Sequence, residues 1–133
     1  MKVAFATHDL VHVDAHFGWA KTLAVYDIDA DSARFIEVLT FEGDLKEDGN
    51  EDKLTPKIEA LADVSILYVS AIGGSGAARV VASGIHPIKA SNGEAIADLV
   101  ARLQGVLAGN PPPWLRKILT RGQARAYDFA EGA

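Results

Sequence analysis

The chain contains no cysteine, and this absence excludes several kinds of small protein. Without thiols there is no disulfide scaffold, no zinc ribbon and no iron–sulfur cluster held by thiolates. A chain of 133 residues that is 49% hydrophobic and 23% charged has the composition of one globular domain. Such a chain buries roughly two-thirds of the surface that its unfolded form exposes, so it needs no covalent staple.

The chain also lacks a long apolar run and a surplus of basic side chains. No apolar run approaches the roughly 20 residues that cross a bilayer, and the N-terminal segment is charged too early for a signal peptide. A net charge of −5 argues against nucleic-acid binding, because phosphates need a basic surface. These features predict a cytoplasmic protein that binds neither membranes nor nucleic acids.

The charge is distributed unevenly. Residues 1–110 hold 9 basic and 16 acidic side chains, whereas residues 111–133 hold 4 basic and 2 acidic ones. We therefore divide the chain into an α/β domain at residues 1–110 and a basic tail with a short helix at residues 111–133. Trp114 and Leu115 are expected to dock that helix onto the domain. The basic side chains of the tail either contact an acidic partner, cover a bound ligand or form a solvated face: Arg116, Lys117, Arg121 and Arg125.

Apolar runs of strand length predict five strands, at residues 2–7, 21–27, 33–41, 64–70 and 85–90. Helices are predicted within residues 51–62, after a glycine-rich turn as far as Gly84, and over residues 93–107. The first helix begins either at Pro56 behind a Thr55 cap or at Asn50 with a kink at Pro56. A hairpin followed by crossovers predicts an α/β fold. Its mixed five-stranded sheet has the order 3-2-1-4-5, with strand two antiparallel and helices on its faces.

This topology locates a site before any motif does. Ligands of open α/β sheets bind at the carboxyl ends of the parallel strands. Strands one and four are predicted to be parallel neighbours, so the loop at residues 8–19 and the turn at residues 71–76 emerge at the same edge. The loop after strand five, next to Lys89, lies there too. His86 lies at the amino end of that strand and is expected at the far edge.

The turn at residues 72–76 is rich in glycine and precedes a helix. Glycines let the backbone approach a ligand closely, and the free N–H groups at a helix start favour an anion. The turn lacks the Lys-Ser/Thr of a P-loop and the spacing of a dinucleotide fingerprint. Gly73 and Gly74 therefore either cradle a ligand or only allow a tight turn.

Three histidines in the first loop are spaced four residues apart: His8, His12 and His16. On a helix this spacing would line one face and hold a metal ion, but Asp9 and Asp14 make a helix unfavourable here. His8 and His12 are therefore either ligands or solvated loop residues.

His16 differs from the other two because Phe17-Gly18-Trp19 follows it. These residues can pack the loop back onto the sheet and hold His16 at the edge. The alternative is a histidine that is hydrogen-bonded within the loop.

The chain lacks the residues that two other catalytic mechanisms require. A two-metal nuclease on such a sheet needs carboxylates on its central strands, and residues 2–7 and 64–70 contain none. Ser75 lacks the G-x-S-x-G pattern of a nucleophile elbow. Two alternatives stay open: an enzyme with one metal ion on the histidine loop, and a ligand-free interaction subunit that works through the basic tail.

Six segments resemble landmarks of the dinitrogenase iron–molybdenum cofactor-binding family. They are VAFAT (3–7), VDAHFGWA (13–20), VYD (25–27), AIGG (71–74), GIHPIK (84–89) and PPPWL (111–115). The resemblance covers nearly the whole chain. The D-A-H-F-G and I-G-G motifs are shared across the family, whereas PPPWL points to one branch of it.

The resemblance implies a ribonuclease H-like fold without nuclease residues. It also implies a non-catalytic, monomeric protein that binds an iron–sulfur precursor of the iron–molybdenum cofactor. Its partners would be nitrogenase assembly proteins, namely the cofactor synthase NifB and the scaffold NifEN. A chaperone that binds the mature cofactor or apo-dinitrogenase is the alternative within the same family.

Carried onto this chain, the resemblance makes His16 the metal ligand or cluster contact. The predicted cofactor-binding set is His8, His12, His16, Phe17, Gly18, Gly73, Gly74, Ser75 and Lys89. One imidazole, backbone N–H groups and a lysine suit release of an anionic cluster better than several thiolates would. Because the net charge is −5, the positive potential must be local. Ligation by neutral His16 predicts that affinity falls below about pH 6.

Overall fold

The computed structural model describes residues 1–41 and 54–120 of the chain, and it contains the predicted mixed sheet with helices on both faces. The strands are β1 (Lys2–Ala6), β2 (His12–Val13), β3 (Thr22–Ile28), β4 (Ala33–Thr40), β5 (Val64–Val69), β6 (His86–Lys89) and β7 (Glu94–Ala95). The α-helices are α1 (Leu54–Ala60), α2 (Gly74–Ala82), α3 (Ile96–Ala108) and α4 (residues 113–120). A 3₁₀ turn spans Phe17–Trp19.

Five strands form the main sheet in the order β4-β3-β1-β5-β6. β1 and β5 are parallel, as are β5 and β6, while β3 runs antiparallel to both β1 and β4. This is the order in which the hairpin and crossover argument arranged the strands. The parallel pair β1–β5 lies at the centre, so the segments that follow these two strands emerge side by side.

Alternation along the central strands sends side chains into two separate cores. Val3 and Phe5 of β1 belong to one cluster with buried residues of α3 and α4. Ala4 and Ala6 belong to the other, in which α1 and α2 pack. The turn that follows His16 joins this second cluster, because the Phe17 side chain is fully buried there.

Helix α2 is terminated by Gly84, as the sequence predicts. Gly84 has φ +83°, a conformation that glycine adopts without the penalty of a Cβ. The N–H of Ile85 donates to the carbonyl of Val80, and that of Gly84 donates to Val81. This pair of hydrogen bonds is a Schellman motif, which satisfies the last carbonyls of α2.

Two predicted local features are wrong. Thr55 lies inside α1 and does not cap it; its hydroxyl accepts a hydrogen bond from Arg79 of α2 at 2.7 Å. The alternative start at Asn50 lies outside the described residues. The loop at 8–19 is not irregular throughout, since β2 pairs with β7. That pairing holds Glu94–Ala95 in a strand, so α3 begins at Ile96, later than the predicted residue 93.

Helix α4 packs on the body of the domain. Leu115 is fully buried and Ile118 nearly so, both in the cluster that contains α3. Trp114 stacks on His86, with ring centroids 3.9 Å apart and planes 7° from parallel. The docking role that the sequence analysis gave to Trp114 and Leu115 is therefore confirmed. Arg121 and Arg125 lie outside the described residues.

Among the helices of residues 1–41 and 54–120, none is both long enough and apolar enough to cross a membrane.

Candidate functional site

An open cleft of about 670 Å³ lies beside the ends of β1 and β5. Its lining residues come from the first loop, from the residue before β3, from the end of β5 and from the loop after β6: His8, Asp14, His16, Trp19, Lys21, Ser70, Ala71 and Asn92. This is the edge of the sheet to which the topology assigned the site. Of the predicted cofactor-binding residues, the cleft brings together His8 and His16.

Backbone hydrogen bonds fasten the first loop to the end of β5. The N–H of Ser70 donates to the carbonyl of Ala15 at 3.1 Å, and the N–H of Phe17 donates to that of Ala71 at 2.9 Å. His16 and Ala71 thereby form an isolated parallel bridge. Together with the buried Phe17 ring, this bridge holds His16 at the sheet edge, as the sequence predicts.

The His16 ring caps the 3₁₀ turn that follows it. Its Nδ1 accepts a hydrogen bond from the N–H of Gly18 at 3.0 Å. A Cβ on residue 18 would lie 3.3 Å from this ring, so glycine permits the close approach. The ring also stacks on Trp19, with centroids 4.9 Å apart.

This cap determines which nitrogen of His16 faces other partners. Because Nδ1 accepts a hydrogen bond, the proton of the neutral ring sits on Nε2. Nε2 has no hydrogen-bond partner among residues 1–41 and 54–120. Burial, and next the charge of Lys57, lower the pKa of His16 below its ordinary value. The ring therefore offers one N–H donor at neutral pH.

Lys57 lies directly beneath the same turn, and sequence reasoning missed it. Its side chain is fully buried. Its Nζ donates hydrogen bonds to the carbonyl of Phe17 at 2.8 Å and to that of Gly18 at 3.0 Å. Burial lowers the pKa of Lys57 to about 8, so the group is mostly charged at pH 7.

A signal for Lys57 exists in the sequence. Leu54, Lys57, Ile58 and Leu61 are spaced as one face of a helix, and three of the four are apolar. A lysine on such a face is buried with its charge unless it reaches around to solvent.

His8 and His12 have different surroundings. The ring of His8 lies 3.2 Å from Asp14, and both line the cleft. His12 pairs with Asp9 at 2.7 Å, which raises the pKa of His12, and it is absent from the cleft lining. Within the part of the chain that the structure describes, no three His, Cys, Asp or Glu side chains converge to hold a metal ion. His8, His12 and His16 therefore do not make up one such group among these residues.

The glycine-rich turn stands at the start of α2, just beyond Ala71. Gly73 is the N-cap with φ −72°, and no side chain caps the helix. A Cβ on Gly73 or Gly74 would meet no atom within 4 Å. The fold itself therefore does not require glycine at these two positions, and their exposed backbone is open to an approaching ligand. Ser75 is exposed next to them.

Lys89 does not line the His16 cleft. It is exposed at the end of β6 and lines a second cavity of about 250 Å³, with Tyr68 and Arg102, on the α3 face of the sheet. Side chains alternate along β6, and the residue that reaches the His16 cleft from this region is Asn92. The cleft takes its exposed lysine from Lys21 instead.

Comparison with known proteins adds sequence relatives. A family model described as dinitrogenase iron-molybdenum cofactor matches residues 1–106. Over 131 residues the chain is 58% identical to a NifX protein of Herbaspirillum seropedicae, covering 98% of this chain and 90% of that protein. Over 137 residues it is 44% identical to a NifX protein of Sinorhizobium fredii, covering 98% of this chain and 86% of that protein.

The fold has a solved counterpart as well. The crystal structure of PH0822 matches with a TM-score of 0.61 at 22% sequence identity, covering 79% of this chain and 89% of that one. At this level of identity the likeness concerns the fold alone.

Proposed function

Because the chain belongs to the dinitrogenase iron-molybdenum cofactor family, we propose that it is a non-catalytic carrier in nitrogenase cofactor assembly. Its cargo is an iron–sulfur precursor of the iron–molybdenum cofactor, bound in the His16 cleft. The PPPWL motif pointed to one branch of the family, and the NifX relatives represent that branch. The proposed donor and acceptor of the cargo are NifB and NifEN, and the protein acts as a cytoplasmic monomer. The ribonuclease H-like classification also stays a prediction.

One observation carries this proposal: His16 lines an open cleft with its Nε2–H unpartnered by described residues. Iron–sulfur clusters accept hydrogen bonds at their sulfides, and iron accepts imidazole nitrogen. In the tautomer described above, Nε2–H donates a hydrogen bond to a cluster sulfide without any change in the turn. Coordination of iron requires the ring to lose this proton or to release Gly18. We propose that the hydrogen bond is the first contact and that ligation by His16 follows only if the turn opens.

The other predicted residues take graded roles in the proposal. Phe17 and Gly18 hold the His16 turn, and His8 is a second cleft contact held by Asp14. Gly73, Gly74 and Ser75 do not line the cleft, but they start α2 just beyond Ala71, where their backbone meets a cargo that extends past the cleft. His12 and Lys89 line no part of the cleft, so the proposal leaves them without a contact.

A weak donor set suits a carrier. Permanent clusters are held by several thiolates, and this chain has none. A site with one imidazole, backbone N–H groups and lysine charge gives up an anionic cluster to a protein that offers better ligands. Lys21 in the cleft and Lys57 beneath it supply the local positive charge that a chain of net charge −5 needs.

The test is an anaerobic titration with the isolated iron–sulfur precursor, followed by visible absorbance and by bound iron after gel filtration. Three proteins are compared: the wild type, His16→Asn and His16→Ala. Asparagine is a good N-cap, so His16→Asn keeps an acceptor for the Gly18 N–H but removes Nε2. His16→Ala removes both.

We expect the wild type to bind and both variants to bind at least about ten-fold more weakly. If His16→Asn binds like the wild type while His16→Ala does not, His16 only supports the turn and the contact lies elsewhere. If the wild type retains no iron, the carrier proposal is wrong for this precursor.

A further inference from the structure

Lys57 is a buried cation whose polar contacts among the described residues are two backbone carbonyls. Its side chain is fully buried, and no carboxylate reaches its Nζ among residues 1–41 and 54–120. Lysine is almost never fully buried unless it is paired, because removing its charge from water is costly. Two backbone carbonyls and two aromatic rings, Phe17 and Phe41, each at 5.7 Å, are its surroundings. A leucine or methionine would avoid that cost but would not donate to the carbonyls of Phe17 and Gly18.

The location of the Lys57 ammonium suggests why a cation is buried there. Nζ binds the carbonyls of Phe17 and Gly18, and the N–H of Gly18 is bound by the His16 ring. The same three-residue turn is thus held by the imidazole on its cleft side and by the ammonium on its buried side. The cation lies behind the wall of the cleft, where protein rather than water separates it from a bound anion.

Resting on the proposed function, we propose that Lys57 is a positioning residue of the cargo site whose positive charge attracts and orients the anionic cluster. The ammonium lies too deep to touch the cargo, so it acts through the turn and through its field. Charges separated by protein interact more strongly than charges separated by water. A cation in this place therefore raises cargo affinity without adding a ligand that would hinder release.

The first test compares the wild type with Lys57→Met in the same anaerobic titration. Lys57→Met removes the cost of burying a charge but leaves the carbonyls of Phe17 and Gly18 without this donor. We therefore expect a folded variant with a lower Tm, and binding is compared at a temperature well below that Tm. We expect its affinity for the precursor to fall at least about ten-fold. Lys57→Met that binds like the wild type overturns the inference.

The absence of cysteine allows a sharper test by chemistry at one position. Lys57→Cys is alkylated in denaturant and refolded in two forms. Aminoethylation restores an ammonium at the place of Nζ. Carbamidomethylation places an uncharged amide nitrogen at the same distance along the side chain, which keeps the N–H donors but not the charge. We expect the aminoethyl form to bind like the wild type and the carbamidomethyl form to bind at least about ten-fold more weakly.

Equal binding by the two alkylated forms overturns the role of the charge, and a structural role alone would give that result. The ring ¹⁵N shifts of His16 report whether the turn is intact in each form. Lys2→Cys, treated in the same way, is the matched control, because Lys2 is a surface lysine near Asp63 at the start of β1. Loss of binding in the wild type itself would refute the carrier proposal, whereas equal binding by all forms refutes only the inference about Lys57.

Discussion

The molecule contains the same pair of side chains at two ends of its sheet. His16 stacks on Trp19 at the carboxyl edge, with centroids 4.9 Å apart and planes inclined by 28°. His86 stacks on Trp114 at the far edge, at 3.9 Å and 7°. The second pair joins β6 to a helix whose Leu115 is fully buried, whereas Trp19 is 57% exposed. Tight stacking at the far edge belongs to the core, and loose stacking at the cleft leaves surfaces open.

The same difference separates a candidate site histidine, His16, from a structural one, His86. Burial lowers the pKa of both, so titration does not separate them. The surroundings do: His16 has a backbone cap, a buried lysine beneath its turn and a cleft in front. His86 is surrounded by the Trp114 ring and by other residues of the docked helix α4. The far edge should therefore respond to substitution in stability, and the cleft edge in cargo affinity.

The largest expected effect is at the far edge. Leu115→Ala removes a fully buried side chain from the cluster that joins α4 to α3, so it should lower the free energy of unfolding by about 2–5 kcal/mol. Urea denaturation measures the change. Lys117→Ala, exposed on the same helix, should stay within about 0.5 kcal/mol of the wild type. A small effect of Leu115→Ala would mean that α4 is not part of the core.

The two tryptophans give the most direct test of the comparison. Trp114→Ala should cost about 1–3 kcal/mol of stability, because it removes a stacked pair and partly buried area. Trp19→Ala should cost less than about 1 kcal/mol, because most of that ring is already in water. Trp19→Ala should weaken cargo binding more than Trp114→Ala does. The comparison breaks if both variants lose stability equally or if Trp114→Ala alone loses the cargo.

Helix α2 has a glycine near each edge, and these two should behave differently. Gly84→Ala places a side chain at φ +83° and should cost about 1–2 kcal/mol. Gly74→Ala adds a Cβ that meets no atom within 4 Å, so stability should stay the same or rise by up to about 1 kcal/mol. If the backbone at Gly74 contacts the cargo, Gly74→Ala should weaken binding even though the protein is no less stable.

The smallest expected effect is in the pH dependence of stability. Burial, and for His16 next the charge of Lys57, lower the folded-state pKa of His16 and His86 below the ordinary 6.5. The unfolded chain then binds more protons just below pH 6.5, so this contribution is complete above that pH and declines as the pH falls towards the folded-state pKa. His86→Phe keeps a ring against Trp114 and should flatten the decline. Thermal melts between pH 5 and 8 measure it, and an unchanged profile would contradict the assignment.

Much of the fold was predictable because it depends on local patterns. The continuous apolar runs of β1 and β5, the alternation of β4 and the stripe of α3 each match their observed element. The stop at Gly84 was predictable too, since glycine is the residue that ends a helix with positive φ. Thr55 and the β2–β7 pair were not, because their partners, Arg79 and residues of the opposite strand, lie far away in sequence.

In the candidate site, too, the features that depend on local sequence were predictable and those that depend on distant contacts were not. The edge of the sheet and the place of His16 follow from topology and from the Phe17 anchor, both of which the sequence carries. Lys89 lines the cavity on the α3 face and not the His16 cleft, because neighbouring side chains along a strand point to opposite faces. Lys57 was missed because its meaning depends on two carbonyls 40 and 39 residues away along the chain.

The sequence by itself determined the class of fold, the order of its elements, the lack of thiolate ligands and the histidine that stands at the sheet edge. These properties depend on composition and on the periods of apolar side chains, which act over a few residues. Only the tertiary structure decided which nitrogen of His16 is open, which lysines stand near it and which tryptophan belongs to the core. Such properties are set by distances between segments that are remote in sequence, and those distances exist only once the chain has folded.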